Sequence, residues 1–302
     1  STRKESSAAS DVYKRQMNNS GFEFSATYRN RDRDFKYELS ANLSTLRNRV
    51  TSLGFGTDSY ISGAYITNVG QEIGQFYGWA YEGIARTQED LDNHATQEGA
   101  QIGDCLYKDI SGPDGKPDGK VDANDQVVLG SGMPKIHFGL NARFEYKRFD
   151  LSIATFGALN YHVSDDIYNS LNSCYGWGNK EVGMLDANRF SEDGSTYLSN
   201  VPRTYVTNSA SLGWNDLFSS RKIQNAAYWK IANVELGYNF PNEWFGKYVS
   251  DVRFYVSAQN LHTFTGYHGY NVDYAGGTFT PGYNFCSYPT ARTFMCGVHF
   301  TF

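Results

Sequence analysis

Segments of about ten residues in which apolar and polar side chains alternate recur through this chain of 302 residues, and they constrain its fold more than any other feature. A period of two places neighbouring side chains on opposite faces of a strand. Phe22, Phe24, Ala26 and Tyr28 share one face, with Glu23, Ser25, Thr27 and Arg29 on the other. After the polar turn 30–34, Phe35, Tyr37, Leu39, Ala41 and Leu43 oppose Lys36, Glu38, Ser40, Asn42 and Ser44. The same grammar returns in 136–147, in the strand beginning at Phe149, in 234–240 and in 252–258. A last strand puts Phe294, Cys296, Val298, Phe300 and Phe302 on one side.

Composition supports an all-β chain: aromatic residues reach 16%, with 30 Gly and only 7 Pro, a profile of strands rather than helices. The net charge of −5 leaves no basic footprint for nucleic acid. No apolar run is long enough for a transmembrane helix. A membrane β-barrel escapes that test, because its strands are only half apolar. A soluble sandwich also alternates, but with strands of about 5–6 residues and more regular turns. Here the connections are unequal: some are a few residues, whereas 84–135 and 161–226 are long and polar. Short turns on the periplasmic side and long loops outside are the barrel pattern. With the chain end in the periplasm, 263–290 is a third outer loop, and 241–250, 147–148 and 30–34 are inner turns. That parity requires one extra strand between Leu46 and Phe76, best placed at 60–69.

Enzyme motifs are absent: no GxSxG elbow, phosphate loop or HExxH is found, and no acid–base pair or nucleophile constellation emerges. The chain is read as not an enzyme. Its six histidines are scattered, and Cys105, Cys174, Cys286 and Cys296 lack metal or redox spacing. One acidic run stands out. Asp114, Asp118, Asp122 and Asp125 fall at positions 1, 5, 9 and 12 of a calcium loop of the EF-hand kind. Gly119 would permit the sharp turn, and Lys120 would offer its carbonyl at position 7. Lys116 at position 3 breaks the pattern, and a Gly/Asp turn in a solvated loop is the competing reading. Loop aromatics form the second candidate group. Tyr161, Tyr168, Tyr175, Trp177, Tyr267, Tyr270, Tyr274 and Tyr283 can stack on a ligand ring such as a sugar. They can equally pack loop on loop or form a girdle at the membrane surface.

Several segments together resemble the C-terminal part of the SusC/RagA family of TonB-linked outer-membrane transporters of Bacteroidetes. They are 73–84 (IGQFYGWAYEGI), 118–122 (DGKVD) with 128–130 (VLG), 134–141 (PKIHFGLN) and 146–152 (YKRFDLS). The others are 231–241 (IANVELGYNFP), 254–261 (FYVSAQNL) with 264–267 (FTGY), and 288–294 (YPTARTF). Their order and spacing, over roughly 17–302, carry the resemblance. It implies a 22-stranded barrel closed by an N-terminal plug. It also implies import of oligosaccharides or peptides driven by TonB with ExbB and ExbD, and a SusD-like lipoprotein as lid. Phe302 is similar to the signal read by the barrel-assembly machinery.

The expected fold is therefore an antiparallel transmembrane barrel segment of about nine strands with long extracellular loops, located in the outer membrane. Plug, TonB box and export signal are not found in the chain. An open sheet of this kind leaves two unpaired edges in lipid, so the chain is read as a fragment. Residues 1–16, which lack alternation, are read as a non-native or disordered leader ahead of the barrel segment 17–302. The polar faces, with Arg143, Glu145, Arg253 and Gln259, are expected to line the lumen or touch the plug. A soluble β-rich carbohydrate-binding module and a passive porin are the rival functions.

Overall fold

The computed structural model describes residues 16–54, 56–112, 114–174, 179–184, 188–204, 213–245, 249–273 and 276–302. Tyr175, Trp177 and Tyr274 lie outside the described residues, as do 1–15 of the leader segment. Seven long strands make one antiparallel sheet: β1 (Glu23–Asn30), β2 (Phe35–Thr45), β3 (Ile136–Tyr146), β4 (Phe149–Leu159), β5 (Tyr228–Asn239), β6 (Asp251–Thr265) and β7 (Thr293–Thr301). Each pairs with its neighbours in chain order, so the sheet is a simple up-and-down meander. Within the described residues β1 and β7 are its two edges, and the sheet does not close.

The β3 strand has 11 residues, a length of about 34 Å, which at a tilt of ~40° spans about 26 Å, the height of a barrel's apolar band. The alternation read in the sequence is the alternation of the two faces. Phe24, Leu39, Leu140, Leu236, Val256, Phe294 and Val298 stand exposed on one face of the sheet. An apolar surface this continuous is far larger than a soluble monomer exposes, and it is the opposite of a sandwich, where such faces pack together. Aromatics mark its turn end: Phe35 lies against Phe144 and Tyr146, and Phe149 meets Tyr238 at 4.8 Å. At the other end Trp229 stacks on Phe264, centroids 5.4 Å apart. Two aromatic girdles with an apolar band between them are the signature of a membrane-crossing sheet.

The three short connections, 31–34, 147–148 and 240–250, lie at one end of the sheet, and 46–135, 160–227 and 266–292 at the other. This is the expected asymmetry, with two corrections. The wall has seven strands among the described residues, not about nine. No wall strand lies at 60–69, because Thr45 at the end of β2 pairs directly with Ile136 at the start of β3. Parity is satisfied without it. Ser59–Ser62 and Tyr65–Asn68 instead form a hairpin, in a four-stranded sheet with Gln75–Trp79 and Gln126–Ser131. Tyr65, Ile66 and Thr67 are all buried, so that short strand is covered on both faces and loses the alternation of a wall strand.

The long connections fold into a platform with its own cores. Ala158, Tyr161, Val163, Ala226, Tyr228, Tyr267 and Val272 form one cluster where β4, β5 and the loops after β4 and β6 meet. Cys105, Tyr107 and Val121 form another, packed against Trp79, Tyr81, Trp214 and Leu217. Cys105 and Cys174 are buried free thiols, whereas Cys286 and Cys296 are exposed.

Candidate functional site

On the polar face of the wall, charged side chains from successive strands meet near the short turns. Arg253 on β6 donates to both oxygens of Asp150 on β4, with Nε to Oδ1 at 3.0 Å and Nη2 to Oδ2 at 2.5 Å. Its Nη2 also reaches Glu235 on β5 at 2.7 Å. One planar guanidinium therefore ties three strands, a task its rigid fork performs better than lysine. Gly237 makes the space: a Cβ there would collide with Arg253 and Asp150. On the neighbouring strands Arg29 pairs with Glu38 at 2.9 Å and Arg143 with Glu145 at 3.1 Å. A cleft of about 320 Å³ opens among Arg31, Lys36, Glu38, Arg143 and Glu145. In a face destined for lipid such charges would be costly, so this is the water- or protein-facing side.

At the other end, side chains separated by about a hundred residues lock the loops together. Arg203 donates to Asp104 through Nε (2.5 Å) and Nη2 (3.0 Å), and Asn215 Nδ2 adds a bond to the same carboxylate at 2.8 Å. Arg86 caps the carbonyls of Tyr197 and Ser199 at 2.9 and 3.2 Å. The third loop joins through Tyr267, whose hydroxyl donates to Asp165 and accepts from Asn284 Nδ2 at 2.8 Å. Burial, and the Asp165 carboxylate beside it, hold the Tyr267 hydroxyl well above the ordinary tyrosine pKa, so it stays a donor.

The acidic run is a self-capped turn. Asp125 is fully buried; its Oδ1 accepts from the amides of Ile110 (2.7 Å) and Ser111 (3.0 Å), and its Oδ2 from that of Asp122 (2.7 Å). Burial works to raise this carboxyl, but the three amides together hold it below the usual aspartate range. Asp122 Oδ1 accepts from Asn124 N at 2.7 Å, and Asp118 Oδ1 accepts from Lys120 N at 3.0 Å. Gly119 does take the left-handed conformation expected of the sharp turn, φ 83°. Its amide, however, donates to Asp109, a residue outside the calcium pattern, at 2.7 Å. The backbone at Lys120 bridges to Thr96. Among the described residues no three Asp, Glu, His or Cys side chains converge on one point. As placed, Asp114, Asp118, Lys120, Asp122 and Asp125 do not form a calcium cage: the carboxylates of Asp118, Asp122 and Asp125 are bonded to backbone amides instead.

The loop aromatics divide. Tyr161 and Tyr267 belong to the platform core, Tyr161 donating to Val272 O at 2.8 Å, so neither offers a face to a ligand. Tyr168 stacks against His268 with centroids 5.9 Å apart and an interplanar angle of 14°, a contact between two loops. Tyr283 stacks on Phe285 within the third loop. Tyr270 is exposed, with no ring contact among the described residues. A cleft of about 650 Å³ lies instead between the first and second loops, with Gln88, Asp92, Thr96, Gln101 and Phe190 on its walls. Sequence reasoning missed it, and missed the Asp104–Arg203 clamp. Partners 99 residues apart leave no local signal in the sequence. Phe302 continues the outward face of β7 and is exposed.

Comparison with known proteins agrees with this architecture. No family model matches the chain. Over 306 residues the chain is 29% identical to the TonB-dependent receptor P3 of Formosa agariphila, covering 95% of the chain and 29% of the relative. It is 25% identical over 293 residues to the TonB-dependent receptor SusC of Bacteroides thetaiotaomicron, covering 95% of the chain and 26% of that protein. The chain thus spans under a third of the length of the curated relatives it matches. Among solved structures, the RagAB peptide transporter superposes with a TM-score of 0.73 at 21% identity, over 95% of this chain and 29% of that one. The RagAB peptide importer in its 'closed-closed' state gives 0.72 at 23% identity, over 95% of this chain and 30% of that one. Over 95% of its length, the chain is a homologue of one segment of the TonB-dependent receptors, SusC among them.

Proposed function

We propose that this chain supplies part of the barrel wall and three outer loops of a TonB-dependent outer-membrane importer. The cargo class is oligosaccharide or peptide, and a SusD-like lipoprotein covers the loops. The observation that carries the reading is the inverted wall: seven consecutive antiparallel strands with the apolar face outward and an ion-paired polar face behind it. That geometry belongs to a barrel in lipid, and the sequence relatives are TonB-dependent receptors over nearly the whole chain. The peptide cargo named for the RagAB neighbours supports the peptide class, and the oligosaccharide class rests on the family resemblance of the sequence motifs. In this reading the wall makes no and breaks no bonds. It offers a fixed, charged surface to the rest of the transporter, while TonB with ExbB and ExbD supplies the energy. The platform meets cargo and lid at the outer surface, and Phe302 is the contact for the barrel-assembly machinery.

The test is uptake by cells carrying the full-length gene, with fluorescent oligosaccharides and peptides offered separately. Uptake of one class that disappears on deleting tonB supports the importer. Uptake that survives the deletion identifies a passive pore instead. A purified chain that remains monomeric in buffer without detergent overturns the membrane reading altogether.

A further inference from the structure

The outward face of the β1–β2 hairpin changes character at one defined level. Pairing runs from Asn30↔Tyr37 to Glu23↔Ser44, breaks at 21–22 and 46, and resumes with the same offset from Ser20↔Arg47 to Met17↔Val50. Because no residue is inserted, the face that carries Leu39, Ala41 and Leu43 continues upward to Thr45, Arg47 and Arg49. Both arginines are exposed, whereas Asn48 and Val50 between and beyond them are buried under the first loop. Neither guanidinium has an ion pair with a described residue. Below them, an apolar depression of about 520 Å³ is bounded by Ala26, Leu39, Ala41, Leu140, Ala142 and Trp229. From Ala41 to Arg47 is six residues, about 20 Å along the strand.

We propose that this strip is a binding site for one phosphorylated, acylated lipid of the outer leaflet. An acyl chain fills the depression and a phosphate sits against Arg47 and Arg49. Charge complementarity and spacing select this occupant. A hydrocarbon chain of lipid length fits the drop from the arginines to the depression, and guanidinium groups bind phosphate through paired charge-assisted bonds. A protein partner would need a desolvated polar rim around the depression, whereas the surface there continues directly into the apolar band. The inference rests on the membrane reading above, but not on what is transported.

The experiment is native mass spectrometry of the full-length protein in detergent, titrated with bis-phosphorylated lipid A, with its dephosphorylated form, and with inorganic phosphate. One retained molecule of the phosphorylated lipid is expected, reduced at least about tenfold by Arg47→Gln with Arg49→Gln. Ala41→Phe, which fills the depression and leaves the arginines in place, is expected to reduce retention as well. Equal retention of both lipid forms, indifference to the arginine pair, or full competition by inorganic phosphate would each overturn the proposal. Heat-modifiable migration of every variant reports that the barrel has formed. Uptake retained in the arginine variant separates loss of this site from failure of the importer reading.

Discussion

Leu140 on the wall and Leu198 on the platform are almost equally exposed, at 47% and 52%, yet they face different solvents. Leu140 stands among Ala41, Ala142 and Thr155 in the outward apolar face. Leu198 is a single apolar residue in a loop whose neighbours bury Tyr197 and Ser199. The wall turns hydrocarbon to one face and keeps its charges on the other; the platform puts apolar clusters inside and caps a buried carboxylate with amides. Exposure alone therefore says nothing about cost. Continuity of the exposed surface decides whether water or lipid is the partner.

The sharpest way to break this comparison is to unfasten the platform and watch the wall. Asp104→Ala removes the buried carboxylate to which Arg203 and Asn215 both donate and should cost about 3–5 kcal/mol of local stability. Hydrogen exchange should rise in 97–107 and 213–217 with β3–β6 unchanged; exchange rising equally in the wall would show that the two regions are one cooperative unit. Next, Leu140→Arg should destabilise the barrel by about 2–4 kcal/mol, measured by urea unfolding from lipid vesicles. Leu198→Lys should stay within about 0.5 kcal/mol. Equal effects of the two would refute the assignment of two solvents.

A smaller effect concerns the acidic turn. Asp125→Ala removes the acceptor of three amides and should cost about 0.5–2 kcal/mol locally. Since the folded pKa of Asp125 is depressed, its contribution is complete above the unfolded value of about 3.9. It is lost as pH falls through the lower folded value. Proteolysis of the 109–125 segment should therefore accelerate in acid below that range, and a rate already high at pH 6 would contradict the cap. The smallest effect expected is that of calcium. Millimolar calcium should leave proteolysis of this segment unchanged, with or without Asp118→Ala, and protection by calcium would restore the cation reading.

Much of the wall was legible because alternation is a local signal. Each wall strand makes its two faces from its own residues, and lipid outside enforces the pattern at every position. The extra strand expected at 60–69 fails for the same reason: in the platform both faces are covered, and Tyr65, Ile66 and Thr67 are buried in succession. The calcium spacing of Asp114 to Asp125 was also visible, but spacing along the chain does not fix where carboxylates point. Asp109, which holds the turn amides at 118 and 119, lies outside the pattern and drew no attention. Tyr267 reads as a loop aromatic in sequence and becomes a core residue only when Asp165 and Asn284 reach it from two other segments.

By itself the sequence determined the strand class, the two-faced wall, the alternation of short and long connections, and the kinship. These follow from periodicity and from motifs contiguous in the chain. Only the tertiary structure decided that seven strands form the wall, that Gly237 makes room for Arg253 between Asp150 and Glu235, and that Asp104 and Arg203 clasp two loops. Those contacts join residues tens to a hundred positions apart. Their energy depends on burial and on a geometry that exists only once the sheet has set its register.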